Sequence, residues 1–286
     1  MTRVRVDGLS LAVHQWPGVG RARRDGGVPA VVCVHGLTAN HTCWASVADA
    51  LSPDFRVVAY DLRGRGDSDK PERGYSLQIH CNDLAALLDG LNLKCAVIAG
   101  HSLGAHIGLA FAVMFPRRVS RLVLVDGGID VRPEILDSLA PAINRLGVEF
   151  ASMEAFLQVV RGLPMLAGRW NEYLERYFRY DVEALPGGAV RSKVAKHAIE
   201  EELASLRRER LWVYHHQVKC PTLILRAPEG LLTATDCLMT AEEAQAMAHA
   251  IPKSTLVTVP RTNHYTVVMG HNPKVKTALR RFLKPR

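Results

Sequence analysis

The chain has 286 residues, room for one large α/β domain or for a core with a cap. Apolar residues make up 48% and charged residues 22%, enough for a sizeable core and against global disorder. The net charge of +8 is scattered in short groups (Arg21, Arg23 and Arg24; Arg117 and Arg118; Arg207, Arg208 and Arg210; Arg280 and Arg281), not gathered on one helix with aromatic partners, which argues against a nucleic-acid binder.

No uninterrupted apolar stretch reaches the roughly 18–20 residues of a membrane span. Met1-Thr2-Arg3-Val4-Arg5 leads into alternating residues without a signal-like apolar run, so a cytoplasmic location is expected. Cys33, Cys43, Cys81, Cys95, Cys220 and Cys237 show no C-x-x-C spacing and read as reduced thiols.

Residues 4–13 alternate apolar and polar around Asp7-Gly8, a hairpin signal. A Gly- and Arg-rich loop spans residues 18–27. The continuous apolar run 30–34 predicts a strand buried on both faces, closed by His35-Gly36-Leu37. Residues 56–60 predict the next strand. It leads into Asp61-Leu62-Arg63-Gly64-Arg65-Gly66-Asp67-Ser68, whose glycines permit tight turns. Residues 76–91 read as a helix with Ser76 as its cap, and residues 95–99 as a further strand.

Gly100-His101-Ser102-Leu103-Gly104 follows, and opens a long apolar segment, 105–115. A strand, a turn with Gly at both flanks and a helix is the setting that exposes a nucleophilic serine. The helix would aim its N-terminal dipole and free N–H groups where an oxyanion forms. Residues 119–125 predict a strand ending at Asp126. Strands alternating with helices argue a mostly parallel, doubly wound sheet, with active groups at the carboxyl ends of the strands.

From 131 to 217 the strand rhythm stops. Helical patterns fill 133–146, 153–160, 170–180 and 190–214, predicting an inserted helical cap. Of its aromatic residues, Trp170 and Tyr177 are expected to line a pocket. The alternating rhythm returns with a strand at 220–226, a long loop to Asp236, a helix at 240–250 and a strand at 255–259. Asn263-His264-Tyr265 and a last helix at 273–283 complete the chain.

These motifs resemble the α/β-hydrolase family: the G-x-S-x-G turn, the His-Gly pair, the D-x-R-G-x-G-x-S loop and a histidine after the last strand. The resemblance covers about residues 1–130 and 218–286, and it implies a core of those two parts with residues 131–217 as a lid over the active site. It implies Ser102 as nucleophile and His264 as general base and acid. The backbone N–H groups of Leu37 and Leu103 would form the oxyanion hole, with His35 ordering its loop. The acid stays open. Asp236 lies sixteen residues before Pro252, as the family's acid does, but after a longer loop; Asp126, 24 residues beyond Ser102, and Glu229 are the alternatives.

The function implied is hydrolysis of an ester, lactone or thioester through an acyl-enzyme. Carbon–carbon bond hydrolysis, or non-enzymatic ligand binding on the same scaffold, are the alternatives. No metal or organic cofactor is expected, since the cysteines and histidines lack ligand spacing and no phosphate-binding glycine loop follows a first strand. The expected partner is a small acyl substrate, with no nucleic acid and no membrane; a homodimer is compatible with this reading.

Overall fold

A computed structural model of the chain describes residues 2–18, 30–52, 54–233 and 235–284, leaving aside the side chains of residues 134, 136 and 137. Arg21, Arg23, Arg24 and nearly all of the Gly- and Arg-rich loop lie outside the described residues. In chain order the first part runs β1 (Thr2–Val6), β2 (Leu9–Trp16), β3 (Ala30–Val34), α1 (Ala45–Leu51), β4 (Arg56–Tyr60), α2 (Leu77–Gly90), β5 (Ala96–His101), α3 (Leu103–Met114) and β6 (Val119–Val125). Asp7 and Gly8 both take positive φ (42° and 82°), the two-residue turn that the right-handed twist of paired strands favours. Ser76 caps α2 by accepting the Ile79 N–H at 3.4 Å.

The second part runs α4 (Pro133–Asn144), β7 (Glu149–Phe150), α5 (Met153–Arg161), α6 (Glu172–Asp181), β8 (Val182–Ala184), β9 (Val190–Ser192), α7 (Lys196–Leu206) and α8 (Trp212–His215). It is followed by β10 (Thr222–Arg226), α9 (Ala241–Ala250), β11 (Ser254–Thr258) and α10 (Pro273–Leu283). Thr240 starts α9 with a capping box to Glu243.

Eight strands form one sheet in the order β1-β2-β4-β3-β5-β6-β10-β11. The hairpin strands β1 and β2 are antiparallel, and every pairing from β4 to β11 is parallel. Alternate residues of one strand feed opposite faces: Val31 and Cys33 of β3 join one apolar cluster, and Val32 and Val34 the other. This is why the strand runs are apolar throughout and do not alternate. The expected mostly parallel α/β architecture is the one observed.

The segment between β6 and β10 differs from the wholly helical expectation. Its strands pair in a small antiparallel sheet, β7-β9-β8. Residues 190–192, expected to open a helix, turn back on β8 through Pro186-Gly187-Gly188, with Val182 facing Ser192 and Ala184 facing Val190. Helix begins only at Lys196.

Long-range polar contacts join this segment to the loops of the main sheet. Glu202 of α7 meets buried Arg65, and its other carboxylate oxygen lies 2.8 Å from His80 Nε2 of α2. Tyr180 of α6 donates to buried Asp61 at 2.6 Å. Arg145 pairs with Asp181 and donates to the Thr38 carbonyl at 3.2 Å.

Candidate active site

Ser102 sits between β5 and α3 with φ 57° and ψ −122°, a backbone conformation a non-glycine residue holds only under strain. The packing explains the flanking glycines. A Cβ on Gly100 would lie 1.9 Å from the Gly104 carbonyl oxygen, and one on Gly104 would lie 2.0 Å from that of Val34. Any side chain at either position would force strand and helix apart.

Leu103 is the first residue of α3, so its N–H has no acceptor within the helix. No hydrogen bond occupies the Leu37 N–H among the described residues. Both residues border a cavity with Ser102. His35 fixes the Leu37 loop: its Nε2 accepts the Leu62 N–H at 2.9 Å, so its Nδ1–H donates to the Gly36 carbonyl at 2.8 Å. Burial holds His35 near pKa 4, despite the opposing pull of Asp61 and the Gly36 carbonyl. It is a neutral strut.

His264 follows β11 in a loop organised by Asn263, whose Oδ1 accepts the Tyr265 and Thr266 N–H groups at 3.1 and 3.0 Å. Asn263 Nδ2 donates to the Met165 carbonyl at 2.6 Å. The His264 carbonyl accepts from His101 Nε2 at 2.9 Å. The backbone that carries the ring is therefore held on both sides. Its Nδ1 lies 2.8 Å from Asp126 Oδ2, so Nδ1 carries the proton and Nε2 keeps a lone pair. Asp126 is fully buried, has φ 46°, and takes the Ala227 N–H on Oδ1 at 3.1 Å.

The favoured acid, Asp236, stands elsewhere, and this corrects the expectation. Its carboxylate takes the N–H groups of Leu231, Leu232 and Thr233 at 2.8, 2.9 and 3.0 Å and the Ser138 hydroxyl at 2.8 Å. Partial burial alone would raise its pKa, yet these donors hold it near 2. Asp236 thus organises the long loop that made its assignment doubtful on spacing. Glu229 is engaged too, with Arg169 at 2.5 Å.

Among the described residues, two cavities reach Ser102. The first, of about 40 Å³, also borders on His101, His264, Tyr177, Tyr265 and Met269. The second, of about 50 Å³, borders on Leu103, His106, Asp126 and side chains of α4 and α7. Leu37 and Leu139 line both. Each has room for a few water molecules.

Tyr177 thus lies where a pocket residue was expected. Trp170 does not, a second correction: its ring stacks on Phe178 at 5.6 Å, its Nε1 donates to Glu175 at 2.9 Å, and neither cavity includes it. Trp170 precedes α6, whereas Tyr177 lies on the buried stripe of that helix with Tyr173, Leu174, Phe178 and Asp181.

The sequence profile of the alpha/beta hydrolase family matches residues 31–278. The chain belongs to the α/β-hydrolase family. It is 28% identical over 246 residues to 2-(acetamidomethylene)succinate hydrolase of Mesorhizobium japonicum, an overlap covering 85% of this chain and 84% of that one. The crystal structure of E-2-(acetamidomethylene)succinate hydrolase superposes with a TM-score of 0.83 at 26% identity, over 99% of this chain and 98% of that one. An enol-lactonase from Burkholderia xenovorans shares the fold, with a TM-score of 0.73 at 22% identity over 99% of both chains.

Within this α/β-hydrolase, sequence reasoning passed over several residues at the cavities. Met269 and Tyr265 gave no motif. His106 had one available signal, its place in the first turn of the helix that follows Ser102. Among the described residues no group of three or more His, Cys, Asp or Glu could hold a metal, and no helix is long and apolar enough to cross a membrane.

Proposed function

We propose that this α/β-hydrolase is a serine hydrolase that transfers an acyl group to water, with an ester, lactone or thioester as substrate. The observation that carries the reading is the 2.8 Å contact from Asp126 to His264 Nδ1, which leaves Nε2 able to accept a proton in a cavity shared with the strained Ser102. His264 Nε2 takes the Ser102 proton as Oγ bonds to the carbonyl carbon, and the oxyanion forms against the N–H groups of Leu37 and Leu103. On collapse the bond to the leaving group breaks, and His264 gives it the proton. Water then attacks the acyl-enzyme, losing its proton to the same nitrogen, and the acid leaves as Oγ is reprotonated. Asp126 holds the tautomer and faces the imidazolium. Residues 131–217 act as the lid, covering the site and limiting substrate size. No metal or organic cofactor enters this chemistry.

A second reading has a specific support. The relative from Mesorhizobium is named for a substrate with an acetamido group, which extends the bond class to acyl–nitrogen bonds. One screen of aryl esters, lactones, thioesters and secondary amides separates the two. Ser102→Ala should lower kcat by about 10⁴–10⁶-fold with folding intact, and a serine-directed phosphonate should label Ser102 alone. Near-wild-type turnover in that variant ends both readings.

A further inference from the structure

The two cavities at Ser102 are chemically unlike, and the difference assigns them. An imidazole that takes the serine proton must hand it to the leaving group, so the leaving group lies on its side of the nucleophile. His264 borders only the first cavity. The second, which Leu103 and Leu37 border together with Ser102, is then the place of the acyl chain. This assignment rests on the proposed serine-hydrolase reading.

The acyl cavity is mostly apolar, and most of its polar side chains are already engaged. Asp126 is bound to His264 and Ala227. Asp130 takes the Leu211 N–H at 2.5 Å. Arg132 donates to the Cys237 carbonyl at 2.6 Å and lies 3.1 Å from Glu243.

His106 is the exception. Its side chain is 7% exposed, Nδ1 is sealed from solvent without a partner, and no hydrogen bond reaches either ring nitrogen among the described residues. Nε2, equally unpaired but not sealed, is the ring nitrogen open to the cavity, and since buried polar groups are normally paired, an unpaired one beside a nucleophile points to a ligand atom. Burial keeps the ring neutral, near pKa 4, despite the pull of Glu202. A neutral imidazole offers one N–H donor and one lone pair, so it can meet either the carbonyl or the N–H of an amide.

We infer that His106 is a specificity-determining residue that hydrogen-bonds an uncharged polar group, such as an amide, carried on the acyl chain of the substrate. One helical turn separates it from Ser102, about 5–6 Å along the axis. The polar group then sits about four to five bonds beyond the scissile carbonyl carbon.

The test compares p-nitrophenyl N-acetyl-β-alaninate, whose amide lies at that distance, with p-nitrophenyl 5-methylhexanoate, its apolar isostere. His106→Leu should lower the ratio of kcat/KM for the first over the second by about tenfold to a hundredfold, the worth of one hydrogen bond to a buried group. His106→Gln, still neutral and able to hydrogen-bond, should restore most of the ratio. The free acids, N-acetyl-β-alanine and 5-methylhexanoic acid, binding to the Ser102→Ala protein and to Ser102→Ala/His106→Leu, read the same selectivity without turnover. A ratio that His106→Leu leaves unmoved in both measurements overturns the inference. So does an equal loss on both esters and on p-nitrophenyl acetate, which is too short to reach His106. Selective binding without any turnover in the wild type would uphold the role of His106 and overturn the hydrolase reading alone.

Discussion

The strand ends of the main sheet and the segment between β6 and β10 meet over the same serine, but they are held in place by different means. At the strand ends position follows from local sequence. Gly100 and Gly104 let β5 turn tightly into α3, with Ser102 held at φ 57° between them. The intervening segment has little of this kind. It is held by partners distant in sequence: Glu202 on Arg65 and His80, Tyr180 on Asp61, Arg145 on Thr38. Short-range geometry sets the turn that carries Ser102, whereas long-range polar pairing brings His264 to Asp126 and holds the intervening segment.

The largest effect should come from the two aspartates that follow strands β6 and β10. Asp126→Asn leaves an amide that no longer fixes the His264 tautomer, and kcat should fall by about four orders of magnitude. Asp236→Asn, whose neighbours are backbone donors of its own loop and Ser138, should keep close to wild-type kcat. Steady-state kinetics on a substrate from the screen decide between them, and the reverse ranking would return the acid to Asp236.

Those two residues also mark where the sequence stopped being legible. The mostly parallel sheet, the Asp7-Gly8 hairpin turn and the capping of α2 by Ser76 follow from signals a few residues long, and each was readable. The choice of acid was not, because it depends on where a carboxylate finds donors. The N–H groups of Leu231, Leu232 and Thr233 lie within five residues of Asp236, a turn pattern that a count back from Pro252 does not register. In the segment 131–217 helix periodicity placed most helices but missed β7, β8 and β9, two or three residues each, too short to alternate visibly.

Next in size is the anchoring itself. Glu202 and Arg65 are both essentially out of solvent. Glu202→Gln leaves a buried guanidinium without its countercharge, which costs about 3–5 kcal/mol. The urea midpoint should fall accordingly, with the slope retained. An unshifted midpoint would mean the segment is held by apolar packing alone.

The same anchors set an acid limit. Burial alone would raise the pKa of Glu202, but Arg65 and His80 override it and hold it near 2. Asp61 is likewise near 2, burial being outweighed by His41, His35 and Tyr180. Both folded values lie below the ordinary 4.5 and 3.8. Their contribution is therefore fully present above those values and drains away as pH falls from about 4.5 towards 2. Urea midpoints between pH 6 and pH 3 should show that decline, and Glu202→Gln should flatten it.

The smallest effect separates two aromatic residues that the sequence paired. Tyr177 lines the cavity that contains His264, with its hydroxyl 3.5 Å from the Thr38 carbonyl. Trp170 stacks on Phe178 behind it, with Arg161 over its ring at 5.0 Å. If the His264 side takes the leaving group, Tyr177→Ala enlarges the space for the alcohol and not for the acyl chain. A change of this kind in an apolar pocket shifts selectivity by about tenfold. The preference between a methyl and a benzyl ester of one acid should move by that amount, while the preference between an acetate and a hexanoate of one alcohol should hold. Trp170→Ala should move neither ratio, and should show itself in a lower urea midpoint from lost stacking and burial. Should Tyr177→Ala instead change acyl-chain preference, the two cavities have been assigned the wrong way round, and the polar contact of His106 would then meet the leaving group.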